Sequence, residues 1–313
     1  MKKKYLDLEF KKFIKIINIR LSRLDNIYFK KKFLQKNFKY RYLTTKEFDL
    51  FLNSYFLKLK NNSFTKSGKI KKKTWNKGWK ENYSEYKKTK NKKKLVPKFV
   101  RSKLPIRING DFILPNSNSF ETDLYTFCLE IVLKKYLKHP IKNLYEFGCG
   151  SCHNLIKIKK LYPKLNLYGS DWSIWSTKII SEINKNNINY NIKSFRFDMF
   201  NPDTTLKIQN NSAVLTVGAL EQLGKNFKKF INFLIKKKTK ICFHFETINE
   251  FYNNSTMSDR LTLEYLKKRN YLENFYTYLS YLEEKKIIKI LNKRRVFGSQ
   301  YHEGYSLLVY KIL

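Results

Sequence analysis

Short apolar runs alternate with amphipathic stretches along the second half of the chain. Five such runs have the length of buried strands, at residues 143–147, 165–170, 192–197, 213–217 and 241–246. Between some of these runs, apolar residues recur at helical spacing, near 174–184 and 226–237. This alternation predicts an α/β fold with a doubly wound, mainly parallel sheet and helices on both faces.

The two ends of this region follow other patterns. Apolar spacing predicts a helix that begins near Phe120 and ends before Pro140. Near the C-terminus, the same spacing predicts one long helix over residues 261–282. Two strands follow it, at 287–291 and 306–312, and we expect them to form an antiparallel pair.

The first 118 residues differ from the rest of the chain. They predict a mostly helical, lysine-rich extension, followed by a second domain over residues 119–313. Within the extension, residues 61–94 are polar and basic, with four interleaved aromatic residues: Trp75, Trp79, Tyr83 and Tyr86. Such a segment either stacks on nucleic-acid bases or forms a loop anchored to the core, and we favour the loop. Residues 95–115 predict an extended connector with a turn at Asn109–Gly110.

The composition is strongly basic. Lysine and arginine together number 65 and aspartate and glutamate 25, so the net charge is +40. Lysine, asparagine, isoleucine, phenylalanine and tyrosine are all abundant and all have AT-rich codons, so a bias in base composition accounts for this excess. A polyanionic partner such as RNA is the alternative, because basic surfaces attract phosphates.

Several classes of protein are disfavoured by the sequence. No apolar run approaches the roughly 18 residues of a spanning helix, so we expect no membrane span. Charged residues interrupt the first ten positions, MKKKYLDLEF, where a signal peptide would need an apolar run. We therefore expect a cytoplasmic protein. Four cysteines are too few for a disulfide scaffold in a chain of 313 residues.

The most informative motif is YEFGCGSCHNL, from Tyr145 to Leu155. A predicted strand ends at an acidic residue, Glu146, and a turn containing Gly148 and Gly150 leads into a helix. Glycines allow the backbone to approach a ligand closely, and the helix N-terminus offers free N–H groups. Ligands of doubly wound sheets bind at this carboxyl edge of the strands.

These residues resemble motif I of the class I S-adenosylmethionine-dependent methyltransferases, acidic-x-Gly-x-Gly-x-Gly. Glu146, Gly148 and Gly150 match it, whereas Cys152 stands at the position of the third glycine. The resemblance covers about residues 120–313 and implies a Rossmann-like fold with S-adenosylmethionine as the cofactor. It places the segment 146–150, which includes Phe147 and Cys149, against the cofactor's methionine part, with Glu146 orienting the loop or the amino group.

The ends of the later strands extend the resemblance. Asp171 lies 171 − 150 = 21 residues after Gly150, close to the spacing at which a carboxylate meets ribose hydroxyls. Trp172 either flanks the adenine or is a core aromatic residue. Asp198 and Met199 resemble the family's adenine-contacting pair, and Gly218 begins a segment that resembles motif IV, which implies the floor of the active site.

Cys149 to His153 also fit other patterns. The spacing C-x-x-C-H is that of covalent haem attachment, and Cys149 with Cys152 is spaced like a redox pair at a helix start. Neither interpretation accounts for the acidic strand ends at Asp171 and Asp198. A zinc site would need a second paired cluster, so we expect no metal.

The residues that act on the methyl acceptor are harder to identify. Transfer requires alignment of the acceptor and a base where the acceptor loses a proton. The candidates are His302, in the polar segment 294–305, and Glu221 and Glu246, which follow the fourth and fifth strands. Each has a plainer explanation, a solvated loop for His302 and backbone capping for the glutamates. His244 lies within the fifth strand and is expected to be a core residue.

The expected reaction is O-methylation of a small molecule or a glycan-type, sugar-bearing acceptor. The fourth strand lacks the Asn/Asp-Pro-Pro-aromatic run of enzymes that methylate exocyclic base nitrogens, and reads Gly218-Ala219-Leu220-Glu221 instead. Two alternatives stay open. One is an RNA methyltransferase that uses the basic extension, and the other is a non-catalytic nucleic-acid-binding protein with a decayed cofactor site.

Overall fold

Two β-sheets and ten α-helices make up the described part of the chain, in a computed structural model that describes residues 4–98 and 104–313. The helices are α1 (Phe10–Ile17), α2 (Arg23–Leu34), α3 (Thr45–Lys60), α4 (Lys72–Thr89), α5 (Phe120–Tyr136), α6 (His153–Leu161), α7 (Ile174–Asn186), α8 (Lys228–Lys236), α9 (Met257–Arg269) and α10 (Phe275–Glu284). The strands are β1 (Leu6–Asp7), β2 (Lys39–Tyr42), β3 (Ile106–Ile108), β4 (Asp111–Pro115), β5 (Asn143–Phe147), β6 (Asn166–Asp171), β7 (Lys193–Arg196), β8 (Ser212–Val217), β9 (Ile241–Phe245), β10 (Ile288–Arg294), β11 (Phe297–Ser299) and β12 (Leu307–Ile312).

The larger sheet has seven strands in the order β10-β12-β9-β8-β5-β6-β7. Strands β5 to β9 run parallel to one another. Strand β12 lies between β9 and β10 and is antiparallel to both. The predicted fold class, a mainly parallel sheet that ends in an antiparallel pair, is confirmed. The bounds of the five predicted parallel strands differ from the observed ones by no more than one residue, because buried apolar runs mark such strands clearly.

Helices cover both faces of this sheet. Side chains of α5, α6 and α7 belong to one buried apolar cluster, and those of α8 and α10 to another on the opposite face. The carboxyl ends of β5, β6, β8 and β9 therefore meet at a single open edge. Among the described helices, none combines the length and apolar character that crossing a membrane requires.

The smaller sheet has five antiparallel strands in the order β1-β2-β4-β3-β11. Asn109 and Gly110 form the predicted turn between β3 and β4, both with positive φ, as a two-residue hairpin of this kind requires. The extension therefore contains strands that the helical prediction omitted. Strand β11 pairs with β3 across the proposed boundary at residue 118, which itself stays a prediction.

Two predicted elements are wrong. Much of the segment 61–94, expected to be a loop, is the helix α4, on which Trp79 and Tyr86 are buried. Its aromatic residues recur every three or four positions, which is helical spacing. The long helix expected over 261–282 is interrupted, because Asn270 adopts a left-handed conformation that ends α9, and α10 begins only at Phe275.

Candidate active site

The glycine-containing turn after β5 is held by its neighbour strand. The N–H groups of Gly148 and Cys149 donate to the carbonyl oxygen of Ser170 at 2.8 and 2.9 Å. Gly148 has φ +73°, and a Cβ there would lie 2.3 Å from Cβ of Ala219. Cys152, at the place of the family's third glycine, has φ 62°, so it keeps the backbone conformation that glycine favours.

Glu146 is the buried acid at the end of β5. Its Oε1 accepts a hydrogen bond from Asn154 Nδ2 at 2.6 Å, whereas Oε2 finds no hydrogen-bond partner among the described residues. Burial raises the pKa of Glu146 to about 8. Buried polar atoms are nearly always hydrogen-bonded, so an orphaned carboxylate oxygen here fits a ligand that donates a hydrogen bond.

Asp171 connects β6 to the same turn. One carboxylate oxygen accepts the N–H of Gly150 at 3.0 Å and the other accepts the N–H of Ser173 at 2.9 Å. Burial raises the pKa of Asp171 to about 6, although these backbone hydrogen bonds oppose the shift. Each carboxylate oxygen has a second lone pair, so the group keeps the capacity to accept from a vicinal diol.

Asp198 and Met199 lie beside these residues. The N–H of Phe197 donates to the carbonyl oxygen of Asp171 at 3.0 Å, which joins the ends of the two strands. The methyl carbon of Met199 lies 3.5 Å from the position of a Cβ on Gly148. The structure therefore places the acidic residues at the ends of the first three parallel strands at the same edge of the sheet, a group that we call the candidate cofactor cleft.

Trp172 forms one side of that cleft. It is only partly buried, and its ring stacks on Phe200 with centroids 6.1 Å apart and an interplanar angle of 13°. Asp198 Oδ1 accepts the N–H of Phe200 at 3.0 Å, so the loop after β7 is ordered by its own carboxylate. Trp172 thus lies between Phe200 and Lys72 Nζ, which is 5.1 Å from the centre of its ring.

Glu246 orders the loop that follows β8. Its carboxylate oxygens accept the N–H groups of Ala219, Leu220 and Glu221 at 3.2, 3.1 and 3.0 Å. Burial and the neighbouring Glu221 raise the pKa of Glu246. This geometry favours the loop-capping interpretation of Glu246 over a role as a base. Gly218, at the start of the same loop, has φ +58° and no atom within 4 Å of a Cβ position.

A chain of hydrogen bonds joins Glu221 to His302. Thr247 Oγ1 lies 2.7 Å from Glu221 Oε2 and 2.7 Å from His302 Nδ1. Thr247 donates its hydroxyl hydrogen to Glu221, whose pKa burial raises, so the hydroxyl oxygen is left to accept the proton of Nδ1. The other ring nitrogen, Nε2, then carries a lone pair. Burial lowers the pKa of His302 to about 3, so the ring is neutral.

Aromatic side chains surround His302. Tyr265 stacks on its ring at 5.3 Å, and Tyr271 meets it edge-on at 5.8 Å. Arg269 Nη2 donates to the hydroxyl of Tyr271 at 2.7 Å, which fixes both side chains beside the histidine. Sequence reasoning missed Thr247, and no local pattern marks it, because its two partners lie 26 and 55 residues away.

The two cysteines of the turn are buried and not linked to each other. Burial raises the pKa of both thiols, Cys149 and Cys152, well above the ordinary value. Reactive redox cysteines need the opposite shift, because the thiolate is the nucleophile. The redox interpretation of this pair is therefore disfavoured. His244, expected to be a core residue, is fully buried with Nδ1 2.8 Å from Thr216 Oγ1.

A cavity of about 540 Å³ opens beside Phe200, and we call it the lysine-lined cavity. It is lined by Ser67, Gly68, Lys69, Phe200, Asn201, Leu223, Lys225, Asn226, Lys228, Lys229 and Asn270. None of these described lining residues is acidic. Lys225 is partly neutralised by Glu273, whose carboxylate lies 3.3 Å away.

Comparisons with known proteins give similarities of fold. No protein-family model matches the chain, and no curated protein matches it. Among solved structures, the CurJ carbon methyltransferase is 14% identical, with a TM-score of 0.43 over 63% of this chain. Magnesium protoporphyrin IX methyltransferase (ChlM) from Synechocystis PCC 6803, with bound SAH, is 13% identical, with a TM-score of 0.44 over 60% of this chain and 82% of its own.

The plantazolicin methyltransferase BpumL is 15% identical, with a TM-score of 0.40 over 60% of this chain and 81% of its own. The match spans 56% of the CurJ chain, little more than half of it. At identities and TM-scores this low, the activity has to be argued from the site itself.

Proposed function

We propose that this protein is an S-adenosylmethionine-dependent methyltransferase. The observation that carries the proposal is the orphaned, buried Oε2 of Glu146 beside the glycine-containing turn, next to the carboxylates of Asp171 and Asp198. An ammonium, a ribose diol and a purine amino group are the donors that such a row of acceptors suits. When bound, the cofactor supplies an electrophilic methyl group.

Each residue of the cleft has a separate role in this proposal. Glu146 accepts from the cofactor's ammonium, and Asp171 accepts from the ribose. Asp198 and Met199 contact the adenine, which Trp172 flanks. The backbone of Phe147, Gly148, Cys149 and Gly150 lies against the methionine part, and Gly218 leaves room at the floor. The cleft thus positions the cofactor largely through strand ends that are already ordered.

His302 is the proposed general base for methylation of a hydroxyl group. Its Nε2 accepts the proton of the acceptor while Thr247 and Glu221 hold the ring through Nδ1. The low pKa that burial gives this ring keeps it neutral, as a proton acceptor must be, but it also makes the ring a weak base, so proton transfer depends on His302 being held beside the acceptor. Tyr265 and Tyr271 exclude water around the ring and suit a small-molecule or glycan-type acceptor with an apolar face.

The first experiment is isothermal titration of the purified protein with S-adenosylmethionine and S-adenosylhomocysteine. We expect saturable binding of both. In Glu146→Gln the affinity should fall about ten-fold, because a charge-assisted hydrogen bond is lost. Glu284→Gln, on the exposed end of α10, is the matched control and should bind normally. If neither compound binds the unaltered protein, the non-catalytic alternative takes precedence. A labelled-methyl screen of small-molecule, glycan and RNA fractions then identifies the acceptor.

RNA is the second candidate acceptor, and the lysine-lined cavity favours it. A cleft with four lysines and no acidic lining residue attracts phosphate groups. If RNA binds there, Lys225→Gln/Lys228→Gln/Lys229→Gln should weaken binding and flatten its salt dependence by about 0.7 per lost phosphate contact. The triple change Lys164→Gln/Lys185→Gln/Lys289→Gln removes the same charge from exposed positions outside both the cavity and the basic extension. Equal losses in both variants would mean non-specific attraction and exclude this acceptor site.

A further inference from the structure

Helix α4 of the N-terminal extension lies across the candidate cofactor cleft. The ring of Trp79 packs on the glycine-containing turn, so a Cβ on Gly150 would lie 2.6 and 2.7 Å from two of its carbon atoms. Trp79 is 9% exposed, and Trp75, one turn earlier, stacks on it at 5.6 Å with an interplanar angle of 20°. The glycine at position 150 therefore leaves room for the indole ring of Trp79.

The first residue of α4 reaches a second part of the cleft. Lys72 Nζ lies 3.1 Å from Asp198 Oδ2 and 5.1 Å from the centre of the Trp172 ring. The side chains of this ion pair are 41% and 28% exposed, so it is accessible to solvent. Exposed pairs of this kind contribute little net stability and exchange readily for another partner.

The C-terminal half of α4 is fixed more firmly. Tyr83 packs on Trp175 of α7 at 5.5 Å, and Tyr86 is buried. Asn82 Nδ2 donates to the carbonyl oxygen of Lys94 at 2.6 Å, and Ser151 in the glycine-containing turn donates to the carbonyl oxygen of Leu95 at 2.5 Å. One end of the helix is thus anchored to the turn and to α7, while the Lys72 end rests on an exposed ion pair.

We propose that α4 is the outer wall of the cofactor site, with Trp79 and Lys72 closing it over the turn and over Asp198. This inference rests on the proposed function. Asp198 is the carboxylate assigned to the adenine, so a bound purine shares or replaces its contact with Lys72. Binding the cofactor then adds contacts to α4 that the free protein lacks, and the Lys72 end of the helix becomes more firmly held.

The tryptophans provide a direct probe of this closure. All four tryptophans of the chain, Trp75, Trp79, Trp172 and Trp175, lie on α4 or on the segment it covers. Tryptophan fluorescence, excited selectively over that of the 22 tyrosines, therefore reports on this layer. A titration with S-adenosylhomocysteine should change the emission, and hydrogen exchange of the amides in α4 should slow in the bound state.

Variants of Trp79 distinguish a residue that contacts the bound cofactor from one that only holds α4 in the fold. Trp79→Ala should weaken S-adenosylhomocysteine binding at least ten-fold, and Trp79→Phe should stay within about three-fold of the unaltered protein, because a ring is kept. Lys77→Ala, on the exposed face of α4, is the control and should bind normally.

Two further results decide the matter. The inference about α4 is wrong, and the proposed function stands, if S-adenosylhomocysteine binds the unaltered protein without slowing hydrogen exchange in α4 and if its affinity does not depend on Trp79. If it binds none of the proteins, the proposed function fails first. Hydrogen exchange on the unaltered protein and the Trp79→Phe variant keep the test valid even where Trp79→Ala does not fold.

Discussion

The two sides of the candidate active site are built in different ways. On the cofactor side, backbone N–H groups of Gly150, Ser173 and Phe200 hold carboxylates that sit at the ends of consecutive strands. On the acceptor side, His302, Thr247 and Glu221 come from three distant segments and meet mainly through their side chains, with one backbone N–H, that of Thr247, donating to Glu221. A site built on backbone turns leaves a local mark in the sequence, whereas a site built from side chains leaves none.

Burial shifts the pKa of the acids and that of the histidine in opposite directions. It raises the pKa of Glu146 to about 8 and of Asp171 to about 6, and it lowers the pKa of His302 to about 3. In every case the neutral form gains, as desolvation requires. For the acids this means that a cationic or hydrogen-bond-donating ligand restores the stability of the ionised form that burial removes. For the histidine it means a free lone pair at neutral pH.

The change with the largest expected effect is Gly150→Arg on the cofactor side. Residue 150 has φ +51° and faces the Trp79 ring, so an arginine strains the backbone and fills the cleft. We expect no measurable binding of S-adenosylhomocysteine by calorimetry, and circular dichroism should verify that the fold survives.

Gly78→Ala on α4 is the matched control for Gly150→Arg. A Cβ there meets no atom within 4 Å, so binding should persist. The helix itself should gain up to about 1 kcal/mol, because alanine is the better helix former. Normal binding by a folded Gly150→Arg variant would remove the turn from the site and with it the contrast drawn between the two sides.

Next in size is His302→Gln on the acceptor side. Loss of a general base typically slows a reaction about 10²- to 10⁴-fold, and we expect kcat to fall by that factor once the acceptor is known. The affinity for S-adenosylhomocysteine should stay the same, since His302 belongs to the other side of the site. An unchanged kcat would show that the acceptor needs no proton removed by this ring.

The contrast between the two sides also explains how far the sequence could be interpreted. Apolar runs locate the parallel strands, and the ends of these runs point to Glu146, Asp171 and Asp198. Both are local features of the sequence. The smaller sheet was missed because its strands are two to five residues long and one of them, β11, comes from the far end of the chain. Thr247 was missed because only folding brings it beside Glu221 and His302.

Thr247→Val tests the positioning of the histidine, with a smaller expected effect. Valine keeps the shape but removes the hydroxyl that Nδ1 contacts, so the ring loses its preferred tautomer and orientation. We expect kcat to fall about ten-fold, the size of one lost hydrogen bond. Thr247→Ser should restore most of it. If valine and serine variants behaved alike, the hydroxyl would have no part in holding the ring.

Glu121→Gln gives the smallest expected effect and asks whether burial controls ionisation on the acceptor side too. Glu121, the second residue of α5, hydrogen-bonds Tyr305, which follows His302 by three residues, and burial raises the pKa of Glu121 from 4.5 to about 7. In the unaltered protein the stability that comes with the protonated acid is fully present below about pH 4.5 and is lost as the pH rises to 7. Glutamine cannot ionise, so the variant should be more stable above pH 7 and nearly equal to the unaltered protein at pH 4.5. The full rise of the pKa from 4.5 to about 7 would correspond to about 3 kcal/mol, which the partial exposure of Glu121 reduces to about 1 kcal/mol.

Urea unfolding at pH 4.5, 6, 7 and 8 measures this difference between the Glu121→Gln variant and the unaltered protein. The exposed control, Glu284→Gln, should change the free energy of unfolding by no more than about 0.5 kcal/mol, because surface substitutions usually have small effects. A difference for Glu121→Gln that does not grow between pH 4.5 and 7 would mean that water reaches this carboxylate freely. Water would then reach the acceptor side more readily than the aromatic residues around His302 indicate. The two sides would then also differ in how far water reaches their carboxylates.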